Sequence, residues 1–117
     1  MSTAKFNQWL NSDGTENYKC RAWVNFNGTG TVAIRAAGNV SSITDNGVGD
    51  YTVNFTNAMP DANYAASGSA VTPAISEGFL VCGNATAQVA GSIRLLTRQY
   101  NGTVVVDQSF VHLAIFR

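Results

Sequence analysis

The chain has 117 residues, a formal net charge of zero and only 12% charged residues. That is the length of one domain, and so little charge leaves solubility to Asn, Thr, Ser and Gly, or to surface covered in an oligomer. Neutrality argues against nucleic-acid binding, which needs a basic face to neutralise phosphates; with no apolar run of about 18 residues, no membrane-inserted helix is expected.

The opening MSTAKFNQWLNSDG carries one Lys and no apolar stretch of the secretory kind. Residues 1–19 are read as an attachment or interface arm ahead of a single β-domain over 20–117. From Cys20 the chain alternates with a period of two. In CRAWVNFN, residues 20–27, Cys20, Ala22, Val24 and Phe26 share one face, and Arg21, Trp23, Asn25 and Asn27 the other. Residues 31–36 repeat the pattern, with Val32 and Ile34 set against Ala33 and Arg35. A further strand is expected over 40–44. In DYTVNFT, residues 50–56, Tyr51, Val53 and Phe55 oppose Thr52, Asn54 and Thr56, which is the mark of a half-buried strand. NGTG at 27–30 and DNGVGD at 45–50 supply hairpin turns, since Asn and Gly tolerate positive φ. AAGN at 36–39 is a weaker break. Residues 20–56 therefore read as a four-stranded antiparallel meander.

NAMPDANY at 57–64 reads as a loop, because Pro60 has no N–H for a ladder. Residues 64–70 read as a strand of small side chains, and 71–78 as a connection. A short apolar run follows at 79–82, then a weakly patterned stretch. Alternation returns at 92–97. RQYNGT at 98–103 reads as a hairpin turn, 104–107 as the start of a return strand, and 109–117 as the last strand. No segment has helical periodicity. The fold class expected is all-β: an antiparallel β-sandwich, jelly-roll-like or meander. The last strand is apolar on both sides, with Phe110, Ala114 and Phe116 on one and Val111, Leu113 and Ile115 on the other. It is either a covered central strand or part of a subunit interface.

Chemistry is thin. SSITDNGVGDYTVNF, residues 41–55, holds Asp45, Asn46 and Asp50 but no closing Glu of the calcium-loop kind, so it reads as a turn. His112 has no nucleophile motif to serve, and no GxSxG elbow occurs. The carboxylates show no spacing of the glycosidase kind. No enzyme activity, metal or cofactor is expected. Cys20 and Cys82 fit either one disulfide or two buried thiols; the second is favoured, since free Cys packs as a small apolar residue. Surface recognition remains. Arg98, Gln99, Tyr100 and Asn101 offer an aromatic beside polar groups at a turn and are the receptor-binding candidates. Trp23, beside Arg21 and Asn25, reads rather as packed or interfacial.

The run AWVNFNGTGTVAIRAAGNVSSITDNGVGDYTVNFTNAMPDANYA, residues 22–65, resembles a module at the C-terminal ends of bacteriophage tail fibre and related virion appendage proteins. The closing HLAIFR resembles how such proteins end. The resemblance covers a little over a third of the chain closely and the final strand loosely. It implies an all-β appendage domain, assembled as a homotrimer, that attaches to a host cell-surface glycan or protein. It brings no catalytic motif. Phe110, His112 and Phe116 are then the trimer-interface candidates. The implied partners are other virion proteins, the localisation is the virion, and assembly occurs in the host bacterial cytoplasm, whose reducing conditions favour thiols. A decoration or adaptor protein that stabilises the particle without binding a receptor is the alternative.

Overall fold

A computed structural model of the protein describes residues 3–72, 75–82, 88–99 and 104–117, with 72 and 75–82 described by backbone alone. Among them are nine strands and no helix: β1 (Cys20–Asn27), β2 (Ala33–Gly38), β3 (Val40–Gly47), β4 (Asp50–Phe55), β5 (Ala65–Thr72), β6 (Ile75–Cys82), β7 (Gln88–Val89), β8 (Ser92–Gln99) and β9 (Phe110–Phe116). Among the described residues no helix is long and apolar enough to cross a membrane.

All pairings are antiparallel. They form two four-stranded layers, β2-β1-β9-β5 and β6-β8-β4-β3, with β7 on β8. The β5–β6 pairing, Thr72 opposite Ile75, links the layers along one edge. The core lies between them. Ala22, Val24 and Phe26 of β1 and Val111, Leu113 and Ile115 of β9 face Tyr51, Val53 and Phe55 of β4 and Ile93 and Leu95 of β8. Each such aliphatic or aromatic side chain contributes roughly 1.5–3 kcal/mol by burial. Phe26 and Tyr51 meet edge to face across the layers, ring centroids 5.2 Å apart. The arrangement is the two-layer all-β architecture expected from the alternation.

Residues 20–56 are nevertheless not one meander. β1 pairs with β2 and β3 with β4, but β2 and β3 lie at opposite ends of the hydrogen-bonded order. The chain changes layers at Asn39, which adopts a left-handed φ of 56°. Its amide nitrogen donates to the Arg21 and Asn57 carbonyls, its amide oxygen accepts from Asn57 N–H at 2.8 Å, and its own carbonyl accepts from Thr56 N–H. One side chain thus ties three segments at the corner. Asn39→Ala, which keeps a Cβ in this conformation but loses the amide that bonds Arg21 and Asn57, is expected to lose about 2 kcal/mol. Asn39→Gly keeps the backbone relaxed and is expected to lose about half as much. Urea unfolding of both variants measures this; equal losses would show that the backbone geometry is not the cause.

Three local expectations also change. Residues 71–78 are not a connection but the facing ends of β5 and β6. Cys20 is exposed, because a register shift between Cys20 and Ala22 takes it off the inward face; the expectation of a buried thiol there is wrong. β8 runs through Gln99, so Arg98 and Gln99 are strand residues, while residues 104–107 hold only a single bridge, Val105 to Arg98. Tyr100 and Asn101, like the rest of 100–103, lie outside the described residues, and so does the Cys82 side chain.

The stretch 41–55 is the β3–β4 hairpin. Asp45 Oδ1 accepts from Gly47 N–H at 3.0 Å, and Val48-Gly49 turn the chain, Gly49 at φ 61°. Asp50 reaches across to Arg94 on β8, whose Nε donates to Oδ1 at 2.8 Å. That guanidinium holds the Asp50 carboxyl below its ordinary range. Both aspartates are engaged in building the turn and its neighbour pairing.

Candidate functional site

The two outer faces of the sandwich differ in chemistry. On β3 and β4 the outward side chains are Ser, Thr and Asn, and they bond to one another. Asn54 Nδ2 donates to Ser42 Oγ at 3.1 Å and Thr44 Oγ1 at 3.0 Å, and Asn46 Nδ2 donates to Thr52 Oγ1 at 2.8 Å. That face is suited to water.

The outer face of β2-β1-β9-β5 is mixed and largely apolar. β9 is central here, between β1 and β5, and its register sets the surface: Trp23 and Ser67 flank Ala114, while Asn25 and Ser69 flank His112. The Trp23 ring lies across the backbone of Gly38 on β2. A Cβ on Gly38 would overlap the indole Nε1 and stand 2.8 Å from Cδ1. A glycine opposite the indole is therefore what lets the ring lie flat. Arg35 stacks on Phe110, its guanidinium carbon 4.0 Å from the ring centroid. It also donates to the Ser109 carbonyl at 2.6 Å and to Asn25 Oδ1 at 3.2 Å. His112 is exposed, its ring 6.3 Å from that of Phe110. Between Trp23, Asn25, Ser67 and His112 lies a shallow depression of about 290 Å³ floored by Ala114. Trp23 and Phe116 are 45% and 42% exposed, large values for aromatics on a central part of a sheet.

The structure thus brings Phe110, His112 and Phe116 onto one face and adds Trp23 and Arg35 to it. It does not bring them together with Arg98 and Gln99, which sit half-buried on β8 in the other layer. Period-two reading is enough to place Phe110, His112 and Phe116 on one side of a strand. The role of Arg35 and Gly38 needed the β1–β2 register, whose shift between Asn25 and Phe26 is not legible locally.

Among the described residues, five carboxylates have structural partners. Asp13 accepts from Thr15, Asp45 from Gly47, Asp50 from Arg94, Asp61 from Arg117 and Asp107 from Gly49 and Tyr51. Asp61 is drawn down to about 2, chiefly by its hydrogen bond from Arg117. Among the described residues no three His, Cys, Asp or Glu side chains gather as a metal site would require. What this surface offers is an aromatic and cationic platform that also carries the exposed His112 imidazole.

Residues 3–19 lie outside the sandwich. Every residue from Thr3 to Cys20 is exposed. A small hairpin forms there, with Asn17 N–H donating to the Trp9 carbonyl and Asn11 N–H to the Thr15 carbonyl. Phe6 and Trp9 stack edge to face at 5.5 Å, and the Lys19 ammonium lies 5.7 Å from the Trp9 ring centroid.

Compared with known protein families, curated proteins and solved structures, the chain finds no match.

Proposed function

We propose that the protein is a non-enzymatic bacteriophage virion protein of the tail fibre or appendage type. It assembles as a homotrimer through the outer face of β9 and attaches to a host cell-surface glycan or protein through residues 98–101. The observation that carries this reading is β9 itself: its inner side fills the core, while on its outer side Phe116 and His112 stay exposed, Ala114 is half-buried and Phe110 is capped by Arg35. A central strand that is apolar on both sides is suited to a second subunit. The resemblance of residues 22–65 to the appendage module supports the same assignment. Three copies around an axis present three sets of loops, and multivalency turns weak single contacts into useful avidity. The partners are other virion proteins and the host surface, with neither nucleic acid nor membrane insertion, and the protein resides in the virion. The exposed aromatic arm favours, as a second reading, an adaptor or decoration protein that stabilises the particle without touching a receptor.

The two readings separate by adsorption. Host cells preincubated with the purified protein are expected to adsorb the phage more slowly, and Arg98→Ala with Gln99→Ala to abolish that competition. Adsorption at the normal rate, together with fragile particles when the protein is missing, would overturn receptor binding in favour of decoration.

A further inference from the structure

An Asn-Gly pair is where a chain most readily modifies itself, because a glycine leaves its nitrogen unshielded against the asparagine side chain. Three occur, at 27–28, 46–47 and 101–102, and the last lies outside the described residues. The first two sit in opposite surroundings. Asn27-Gly28 is fastened. Gly28 is buried, its N–H donates to the Gln108 carbonyl at 2.9 Å, and its carbonyl accepts from the Tyr51 hydroxyl at 2.8 Å. Asn27 Oδ1 accepts from both Thr29 N–H and Thr29 Oγ1. A new ring has no room here, since even a Cβ on Gly28 would overlap the Tyr51 oxygen. Asn46-Gly47 lies instead at the open tip of the β3–β4 hairpin, on an edge strand. Both residues are exposed, and nothing lies within 4 Å of a Cβ built on Gly47. The register runs from Asp45 opposite Tyr51 to Gly47 opposite Asp50, so Asn46 is the extra residue of a bulge. Gly47 N–H donates to Asp45 Oδ1, a side chain of the same turn, and its φ of 140° is one that glycine adopts freely. What holds the Asn46 amide is a pair of surface hydrogen bonds, to Thr52 Oγ1 and Asp50 Oδ1, which water can replace.

We propose that Asn46 is a site of spontaneous deamidation in the folded protein, and that Asn27 is protected from it. The Gly47 nitrogen bonds to Asn46 Cγ and gives its proton to water. The Cγ–Nδ2 bond breaks, and the nitrogen leaves as ammonia, taking a proton from solvent. Water then opens the cyclic imide at either carbonyl, giving an aspartyl or an isoaspartyl residue in place of the asparagine. No electrons are exchanged, and water is the only co-reactant. The product sets a carboxylate where Asn46 donated to Asp50, and adds one negative charge to a chain of formal net charge zero. The isoaspartyl form also carries the main chain through one more carbon. Because position 46 is already a bulge on an edge strand, that extra length reaches none of the core. The inference is independent of the virion reading and of any subunit contact.

The test holds the full chain in warm, mildly alkaline buffer, folded in one arm and unfolded in urea in the other. Peptide mass spectrometry follows the exchange of the amide NH2 for OH at each asparagine, with fragmentation to distinguish aspartyl from isoaspartyl product. In the folded protein, Asn46 is expected to convert at least about tenfold faster than Asn27, whose reaction waits on local opening. In urea the two are expected to convert at comparable rates. Asn46→Gln, whose longer side chain closes the ring poorly, is expected to end conversion at that position in both arms. Equal rates for Asn27 and Asn46 in the folded protein, or conversion of Asn46 in urea only, would overturn the proposal. So would a product at position 46 that is aspartyl alone, since ring opening yields both forms.

Discussion

Gly49→Ala is expected to cost about 2–5 kcal/mol, a large effect for a single added methyl. Two separate penalties add. Gly49 sits at φ 61°, where an L side chain costs about 1–2 kcal/mol. Its Cβ would also stand 2.5 Å from Val105 Cγ1, 2.7 Å from the Val106 carbonyl and 2.8 Å from the Thr97 carbonyl. Two of those atoms are backbone and cannot rotate away, so the turn itself must shift, at about 1–3 kcal/mol. The shift threatens two bonds: Gly49 N–H donates to Asp107 Oδ1 at 2.8 Å, and its carbonyl accepts from Thr97 N–H at 2.8 Å. Gly30→Ala is the control. Gly30 has nearly the same φ, 59°, with nothing within 4 Å of the added atom, so it pays the conformational penalty alone. Thermal unfolding is expected to place the Gly49 variant about 8–20 °C below the parent, and the Gly30 variant between the two. Equal shifts would show that the β3–β4 turn has room at Gly49.

The contrast between these glycines marks how far the sequence can be read. Both lie in runs whose Asn-Gly chemistry announces a hairpin, and both hairpins form. Nothing nearby in the chain says that one tip is open and the other is pressed against Val105 and Val106, more than fifty residues away. The same limit recurs elsewhere. Tyr51, Val53 and Phe55 alternate with Thr52 and Asn54 because one side of β4 meets core and the other water, so strand and facing are both legible. Asn39 marks a break in the chain, but whether the strands on either side of it pair is decided by distant partners. β5 is nearly silent: Ala65, Ser67, Gly68 and Ser69 differ too little in polarity to display a period. Cys20 was misplaced by one register shift, which inverts parity beyond it. The candidate surface follows the same division. That Phe110, His112 and Phe116 share a side follows from period two. That Phe116 and His112 stay exposed there while Arg35 caps Phe110 depends on the strand order β2-β1-β9, which only the assembled topology supplies.

The buried end of the sandwich predicts the second large effect, at Tyr51. Its side chain is fully buried, and its hydroxyl stands 2.7 Å from Asp107 Oδ1 and 2.8 Å from the Gly28 carbonyl. One phenolic proton serves two acceptors, joining the β1–β2 turn to the segment entering β9. Gly28 is fitted to this: a Cβ there would overlap the phenol oxygen and stand 2.7 Å from Cζ. Tyr51→Ala removes the ring packed on Phe26 as well as the bond, and is expected to cost about 3–5 kcal/mol. Tyr51→Phe keeps the ring and takes the phenol donor from both acceptors, Asp107 Oδ1 retaining its bond from Gly49 N–H, for about 1–3 kcal/mol. The pH dependence then identifies the hydroxyl. Burial first, and the hydrogen bond with Asp107 second, push the Tyr51 phenol above its ordinary range. In the unfolded chain it ionises near pH 10. Above that pH the unfolded state holds fewer protons than the native one, so stability falls as pH rises. The contribution is intact below about pH 10. Urea unfolding of the parent and of Tyr51→Phe should therefore run parallel from neutral pH to about 9 and converge above 10. Curves that stay parallel throughout would mean the hydroxyl is hydrated in the native protein, and that the join between the β1–β2 turn and β9 rests on the ring alone.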